Sequence, residues 1–218
     1  MMFFAHPSIL GRAALFLFSA ALCGWFASAV SAAPVQGYVM AIQMTPAVCM
    51  LDAQSSKKRK CLEGYSLNIS GLFPETMQVD CKTSSSAALS PLQAKVVARV
   101  MPDEAARVQL WYAIGGCVPM NASQYFRTVI NYAEQLKIPA ELTTPETKKM
   151  QIDTLRSQFL RLNATLPSTA IKFNCSAFHG NSILTELKLC YKTNGQYKAC
   201  PVTVENNCPN SFTIKGSY

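Results

Sequence analysis

The sequence predicts an α+β domain closed by disulfides, on three observations. Strand-like segments come first, helical segments follow, and strand-like segments return at the end, the order of a segregated rather than an alternating architecture. Eight cysteines lie downstream of an export-type leader, which implies an oxidising compartment. Once that leader is removed, 218 minus 32 leaves 186 residues, long enough for one domain with its own core.

The leader spans residues 1–32. It carries the single charge Arg12, an apolar run from Ala13 to Ala27, and the small-residue end Ser28-Ala29-Val30-Ser31-Ala32, the pattern of a secretory signal peptide. Val30 and Ala32 suit the positions before the cut, so cleavage is expected after Ala32, and a single domain over 33–218 remains. The apolar run falls short of the roughly 20 residues that a spanning helix needs, so no membrane span is expected after processing. The expected location is secreted or periplasmic.

The elements follow in order. Tyr38 to Gln43 has the apolar, β-favouring composition of a buried strand, and Tyr65 to Ile69 alternates as a second strand does. Polar Thr83-Ser84-Ser85-Ser86 is a loop. Pro91, suited to a first helical turn, opens a helix expected to reach Met101, and another runs from Asp103 to about Tyr112. A third starts with Ser123 as its cap and continues to Leu136, with Tyr125, Phe126, Val129, Ile130 and Ala133 on its apolar face. Thr143 and Glu146 have capping-box spacing, with Pro145 in the first turn, and predict a helix in which Ile152, Leu155, Phe159 and Leu162 recur at 3-4-3 spacing. Ile171–Cys175, Ile183–Tyr191 and Phe212–Lys215 are strands, separated by Gly180-Asn181 and Asn194-Gly195 turns.

Charge and cysteines narrow the functional classes. Without Arg12 the chain has 19 basic and 12 acidic residues, a net charge of +7, compatible with RNA, anionic lipid or an acidic partner. The densest basic run, Lys57-Lys58-Arg59-Lys60, sits between Cys49 and Cys61 after Gln54-Ser55-Ser56. It reads as a solvated, disulfide-closed loop in preference to a dedicated phosphate-binding one. Tight CxxC spacing is absent and His179 is the one histidine after the leader, so no metal is expected. There is no glycine-rich phosphate loop, and no cofactor is expected.

Two segments carry a resemblance. Ile69-Ser70-Gly71-Leu72-Phe73-Pro74 aligns without a gap to Ile-His-Gly-Leu-Trp-Pro, and Gln109 through Cys117 aligns to His-Glu-Trp-x-Lys-His-Gly-Thr-Cys. Gln43-Met44-Thr45-Pro46-Ala47-Val48-Cys49 is similar to an earlier motif, Gln-Trp-Pro-x-x-x-Cys. By these boxes the chain resembles the ribonuclease T2 family of acid endoribonucleases, over nearly all of residues 33–218. The resemblance implies helices packed on a central antiparallel sheet. It also implies four disulfides: Cys49 with Cys61, Cys81 with Cys117, Cys175 with Cys208, and Cys190 with Cys200.

The family reaction implied is attack of a ribose 2′-oxygen on phosphorus, with one group taking a proton and another giving one. Imidazole suits both transfers because its pKa lies near working pH. At matching positions stand Ser70, Leu110, Ala113 and Ile114, none of which supplies that chemistry. No intact catalytic residue is therefore expected. His179 lies outside both boxes and reads as a turn or surface residue.

The leading expectation is a binding pseudoenzyme for RNA, a nucleotide or a protein. Gln43, Phe73, Trp111, Lys57 and Lys58 are the candidate binding residues. The alternative is an active endoribonuclease cleaving single-stranded RNA with relocated catalytic groups. A third reading is an interaction protein that uses exposed loops such as the lysine-rich one. Met44, Phe73, Leu110 and Ile114 would make the old cleft apolar, either as a protein-docking surface or as a packed plug. Sequons begin at Asn68, Asn121, Asn163 and Asn174, and they matter only in a eukaryotic secretory pathway. A glycan at Asn68 would obstruct the cleft.

Overall fold

The computed structural model describes residues 34–52, 54 and 57–217. The leader and its cleavage point, and Ser55-Ser56 of the loop before the lysines, lie outside them.

The first strand, β1 (Gly37–Met44), sends Tyr38, Met40, Ile42 and Met44 inward in strict alternation. It runs directly into α1 (Thr45–Leu51), with Pro46 in the first turn. A four-residue helix, α2 (Arg59–Leu62), follows and is tied to α1 by Cys49–Cys61. The second strand, β2 (Leu67–Glu75), does not end within the first box as the alternation suggests. It continues through the box to Glu75, paired antiparallel to β1 along its length.

Next come α3 (Pro91–Ala98), capped by Ser90, and α4 (Glu104–Ile114), capped by the Asp103 carboxylate, which accepts from Ala106 N at 3.1 Å. α3 stops short of Met101 because Val100 and Met101 both donate back to Val97 O, while Val100 O accepts from Ile69 N at 2.8 Å. That carbonyl serves β2 instead of a further helical turn. α5 (Ala122–Gln135) is capped by Asn121 and not by Ser123: Asn121 and Gln124 form a reciprocal capping box. Ser123 instead holds Gln93 of α3 through two hydrogen bonds.

The predicted capping box at Thr143 is not formed. The Thr143 hydroxyl donates to Ala140 O, and Lys148–Gln151 is a strand, β3, paired with β6 (Ser211–Ile214). The amphipathic pattern is satisfied by the shorter α6 (Ile152–Leu162), which buries Ile152, Leu155 and Phe159. Edge pairing of the preceding residues outweighs a local cap, because it satisfies backbone groups along the whole strand.

β4 (Ile171–Phe178) and β5 (Asn181–Tyr191) form a hairpin. Its two turn residues are His179 and Gly180, one position earlier than the sequence suggests, and both have positive φ (48° and 76°), as the tightest hairpin turn demands. The six strands among the described residues form one sheet in the order β2-β1-β5-β6-β3, with β4 pairing β5. All pairings are antiparallel except a single parallel bridge between β5 and β6. The inward faces of α4, α5 and α6 join the sheet in one core. Tyr132 of α5 stacks on Tyr191 of β5 at 4.5 Å, and Phe159 of α6 meets Phe173 of β4 at 6.3 Å.

All eight cysteines from Cys49 onward are paired: Cys49–Cys61, Cys81–Cys117, Cys175–Cys208 and Cys190–Cys200. Those are the pairs the resemblance implies. No helix of the described residues is long and apolar enough to cross a membrane.

Candidate functional site

The first box lies on β2, and a backbone irregularity sets its key residue apart. Ala41 pairs with Gly71 and Ile42 with Ile69, so Ser70 is the extra residue of a bulge, a device that re-aims a side chain out of the regular ladder. The Ser70 hydroxyl donates to Ala41 O at 3.3 Å. Its proton is therefore committed to the main chain.

Ser70 lines a cavity of about 160 Å³ together with Gln43, Lys58, Lys60, Asn68 and Asp103. The Lys60 ammonium donates to Gln43 Oε1 at 2.6 Å, and Lys60 is only 8% exposed. The solvated run expected at 57–60 is thus corrected at its last member. Lys57, Lys58 and Arg59 are exposed, Arg59 pairs with Glu63 at 2.5 Å, and Lys60 turns inward. Burial, then the neighbouring Lys58, pushes the Lys60 pKa below the usual lysine value, against the opposing pull of Asp103 and Asp52. Lys57 does not line the cavity. Sequence reasoning missed Lys60 as a site residue, yet a signal existed: its neighbour Cys61 is bonded to α1, which continues directly from Gln43 and β1.

The second box lies on α4 and the turn of 3-10 helix that follows it, Gly115–Cys117. Leu110 and Phe73 close over Gly71: a Cβ placed there would lie 3.2 Å from Leu110 Cδ1 and 2.8 Å from Phe73 Cζ. Phe73 remains 38% exposed, so an aromatic surface borders the apolar contact. Ile114 is 8% exposed and belongs to the core, Ala113 is exposed, and Met44 is fully buried. Gln109, at the first position of the box where the motif has histidine, is exposed too. It joins Ser70, Leu110, Ala113 and Ile114 as a position where the chain differs from the motif.

Trp111 is corrected as a binding residue. It is 1% exposed, its indole N–H donates to Ser85 O at 3.1 Å, and its ring lies 5.8 Å from Tyr125. The Tyr125 hydroxyl in turn donates to Leu72 O and accepts from Leu72 N, at 3.1 and 3.0 Å, and burial drives its pKa far above the ordinary tyrosine value. Trp111 therefore helps hold box two against box one. Gly116 has a similar role: a Cβ there would meet Lys82 O at 2.5 Å, beside the Gly116 N–H that donates to Cys81 O at 2.8 Å. Glycine permits the close approach at the disulfide between Cys81 and Cys117.

Asn68 is also corrected. Its amide oxygen accepts from the Thr45 hydroxyl at 3.1 Å and the side chain is buried, so it is a joint between β2 and α1, with no room for a glycan. Asn163 is buried likewise, bonded to Lys137 and Phe159, and Asn121 is used as the α5 cap. His179 is exposed at the tip of the β4–β5 hairpin, with β1 and β5 between its strand and β2 in the sheet order. Among the described residues no group of three His, Cys, Asp or Glu side chains is placed to hold a metal ion.

This arrangement of sheet, helices and disulfides defines a ribonuclease T2-like fold. Ribonuclease MC1 from bitter gourd seeds superposes with a TM-score of 0.64 at 14% identity, over 81% of this chain and 98% of that one. Japanese pear S3-RNase gives 0.59 at 18% identity over 84% and 100%, and an RNase-related protein from Calystegia sepium gives 0.64 at 13% over 84% and 98%. No family model and no curated protein sequence matches the chain. At such identities the likeness is one of fold.

Proposed function

We propose that this protein is a secreted or periplasmic pseudoenzyme that uses the ribonuclease T2 scaffold to bind a nucleotide or RNA without cleaving it. The observation that carries the reading is the state of the two boxes. Where 2′-oxygen attack needs a base, an acid and a cation, β2 and α4 present Ser70, Gln109, Leu110, Ala113 and Ile114. Each absent acid or base removes a factor of about 10²–10⁴ in rate. The absent ammonium at 113 removes about 10²–10³. Ser70 has no imidazole to activate it, and its proton is directed to Ala41 O.

Relocated catalysis has no support in the position of His179, which is held in a turn on another part of the sheet. Binding is supported by what remains: the Phe73 ring with Leu110 beside it, Gln43 and Lys58 at the neighbouring cavity, and a net charge of +7 once Arg12 is gone. Variants of ribonuclease MC1 are described in complex with 5′-UMP and with 5′-GMP. The four disulfides support an oxidising destination.

The test is incubation of homogeneous protein with single-stranded RNA from acidic to neutral pH. The expected outcome is intact RNA; cyclic-phosphate ends produced over many turnovers would overturn the reading.

A further inference from the structure

Lys60 is a cation held indoors by a neutral partner. Its ammonium has one protein acceptor, the Gln43 amide oxygen, and none of the ion pairs among the described residues includes it. A buried charge without an ion-pair partner is costly, and an anionic ligand would offset that cost. Around the ammonium lie the other elements of an anion cradle. Lys58 lines the same cavity and the Gln43 NH₂ makes no hydrogen bond among the described residues, while the Ser70 hydroxyl and the Asn68 amide N–H, whose residues also line it, already donate to Ala41 O and Ile69 O.

We propose that the cavity beside Ser70 binds the phosphate of a phosphomonoester, with Lys60 as the buried cation and Lys58 as the cation at its mouth. This deepens the nucleotide-binding reading and rests on it. The positive charge missing at position 113 is supplied at position 60, from a different element and from the opposite side of β2's bulge residue in sequence. A cavity of about 160 Å³ admits a phosphate group. Two ammonium groups match a dianion better than a single carboxylate.

One carboxylate faces the cavity, Asp103, and its Oδ1 is engaged by Ala106 N at the start of α4. Asp52 pulls on Lys60 more weakly than Asp103 does and accepts from Gln54 N. The lowered pKa of Lys60 fits an ammonium short of counter-charge, and a bound phosphate would raise it.

The experiment titrates the disulfide-bonded protein with inorganic phosphate, 5′-UMP and uridine, following melting temperature and the ¹³Cε resonances of labelled lysines. Phosphate and 5′-UMP are expected to raise the melting temperature and to shift the Lys60 resonance saturably, whereas uridine does neither at the same concentrations. Lys60→Gln is expected to weaken 5′-UMP binding by about tenfold or more, as loss of a charged hydrogen bond does, and Lys60→Arg to restore part of it. Lys58→Gln, at an exposed position, is expected to weaken binding with the unliganded melting temperature unchanged.

The proposal is overturned if wild-type protein shows no saturable response to phosphate and 5′-UMP, if uridine binds as tightly as 5′-UMP, or if both lysine variants bind as wild type. Failure here with RNA left intact removes the phosphate site and leaves the pseudoenzyme. Phosphate binding accompanied by RNA turnover does the reverse.

Discussion

Ile114 packs in the core with Trp111 and is 8% exposed, so at this position a hydrocarbon side chain fills space and does not line an open surface. Ile114→Ala is therefore expected to cost about 2–5 kcal/mol of stability, the range for truncating a buried aliphatic residue. Denaturant unfolding of the two proteins measures it. A cost near zero would mean that Ile114 borders an open cleft. The plug and docking-surface alternatives divide here: Ile114 and Met44 are interior, while Phe73 keeps an exposed ring beside Leu110. The motif positions show where this chain differs from the motif but not which way its side chains face. Trp111 illustrates the limit, since an aromatic residue that matches the motif is 1% exposed and packs on Tyr125 between the two boxes. Lys60 illustrates the converse. Its neighbours on either side of the run are exposed or half-buried, and only the Cys49–Cys61 bond and the proximity of Gln43 turn this one lysine inward.

The helices and strands were legible where period and local capping agreed, and misread where backbone pairing overrode a cap. Pro91 opens α3 as its suitability for a first turn predicts, and α4 begins beside Asp103 as expected, with Ser90 and Asp103 as the caps. At α5 the Asn121–Gln124 spacing outcompetes Ser123, a signal present in the sequence and passed over. At 143–151 the capping-box residues were real but silent, because Lys148–Gln151 pairs with β6, a strand some sixty residues away in sequence whose register no local pattern reveals. The Asn121 cap yields a measurable consequence. Asn121→Ala removes an acceptor from Gln124 N and leaves the reciprocal Gln124 Oε1 contact to the Asn121 backbone N–H. The expected loss is about 1 kcal/mol, the usual value for an N-cap deletion, read by thermal or chemical denaturation. Ser123→Ala should also destabilise, but through the α3–α5 contact with Gln93 and without fraying the first turn of α5. Amide exchange at Gln124 separates the two.

For the molecule as a whole, the order of strands, helices and strands revealed the class of fold, and the family boxes implied the disulfide pairs, because cysteine positions alone leave the connectivity open. Those pairs do unequal work. Cys81–Cys117 closes 36 residues of sequence separation and Cys190–Cys200 closes 10. In the chain-entropy account, the first stabilises by about 3.8 kcal/mol and the second by about 2.7 kcal/mol. The longer bridge also joins the chain after β2 to the end of α4, reinforced by Gly116 N–H to Cys81 O and Thr83 N–H to Tyr112 O. Replacing Cys81 and Cys117 together by serine is therefore expected to destabilise by about 1 kcal/mol more than replacing Cys190 and Cys200. It should also raise amide exchange along α4 before the rest of the fold opens. Because α4 carries Leu110 over Gly71 and Asp103 at the cavity, that loosening is expected to weaken ligand binding, whereas the Cys190–Cys200 variant keeps it. A difference of about 1 kcal/mol with unchanged α4 exchange would show that the bridge constrains only the unfolded chain and that the two boxes hold together through Trp111, Tyr125 and Leu72 alone, and equal losses would contradict the chain-entropy account.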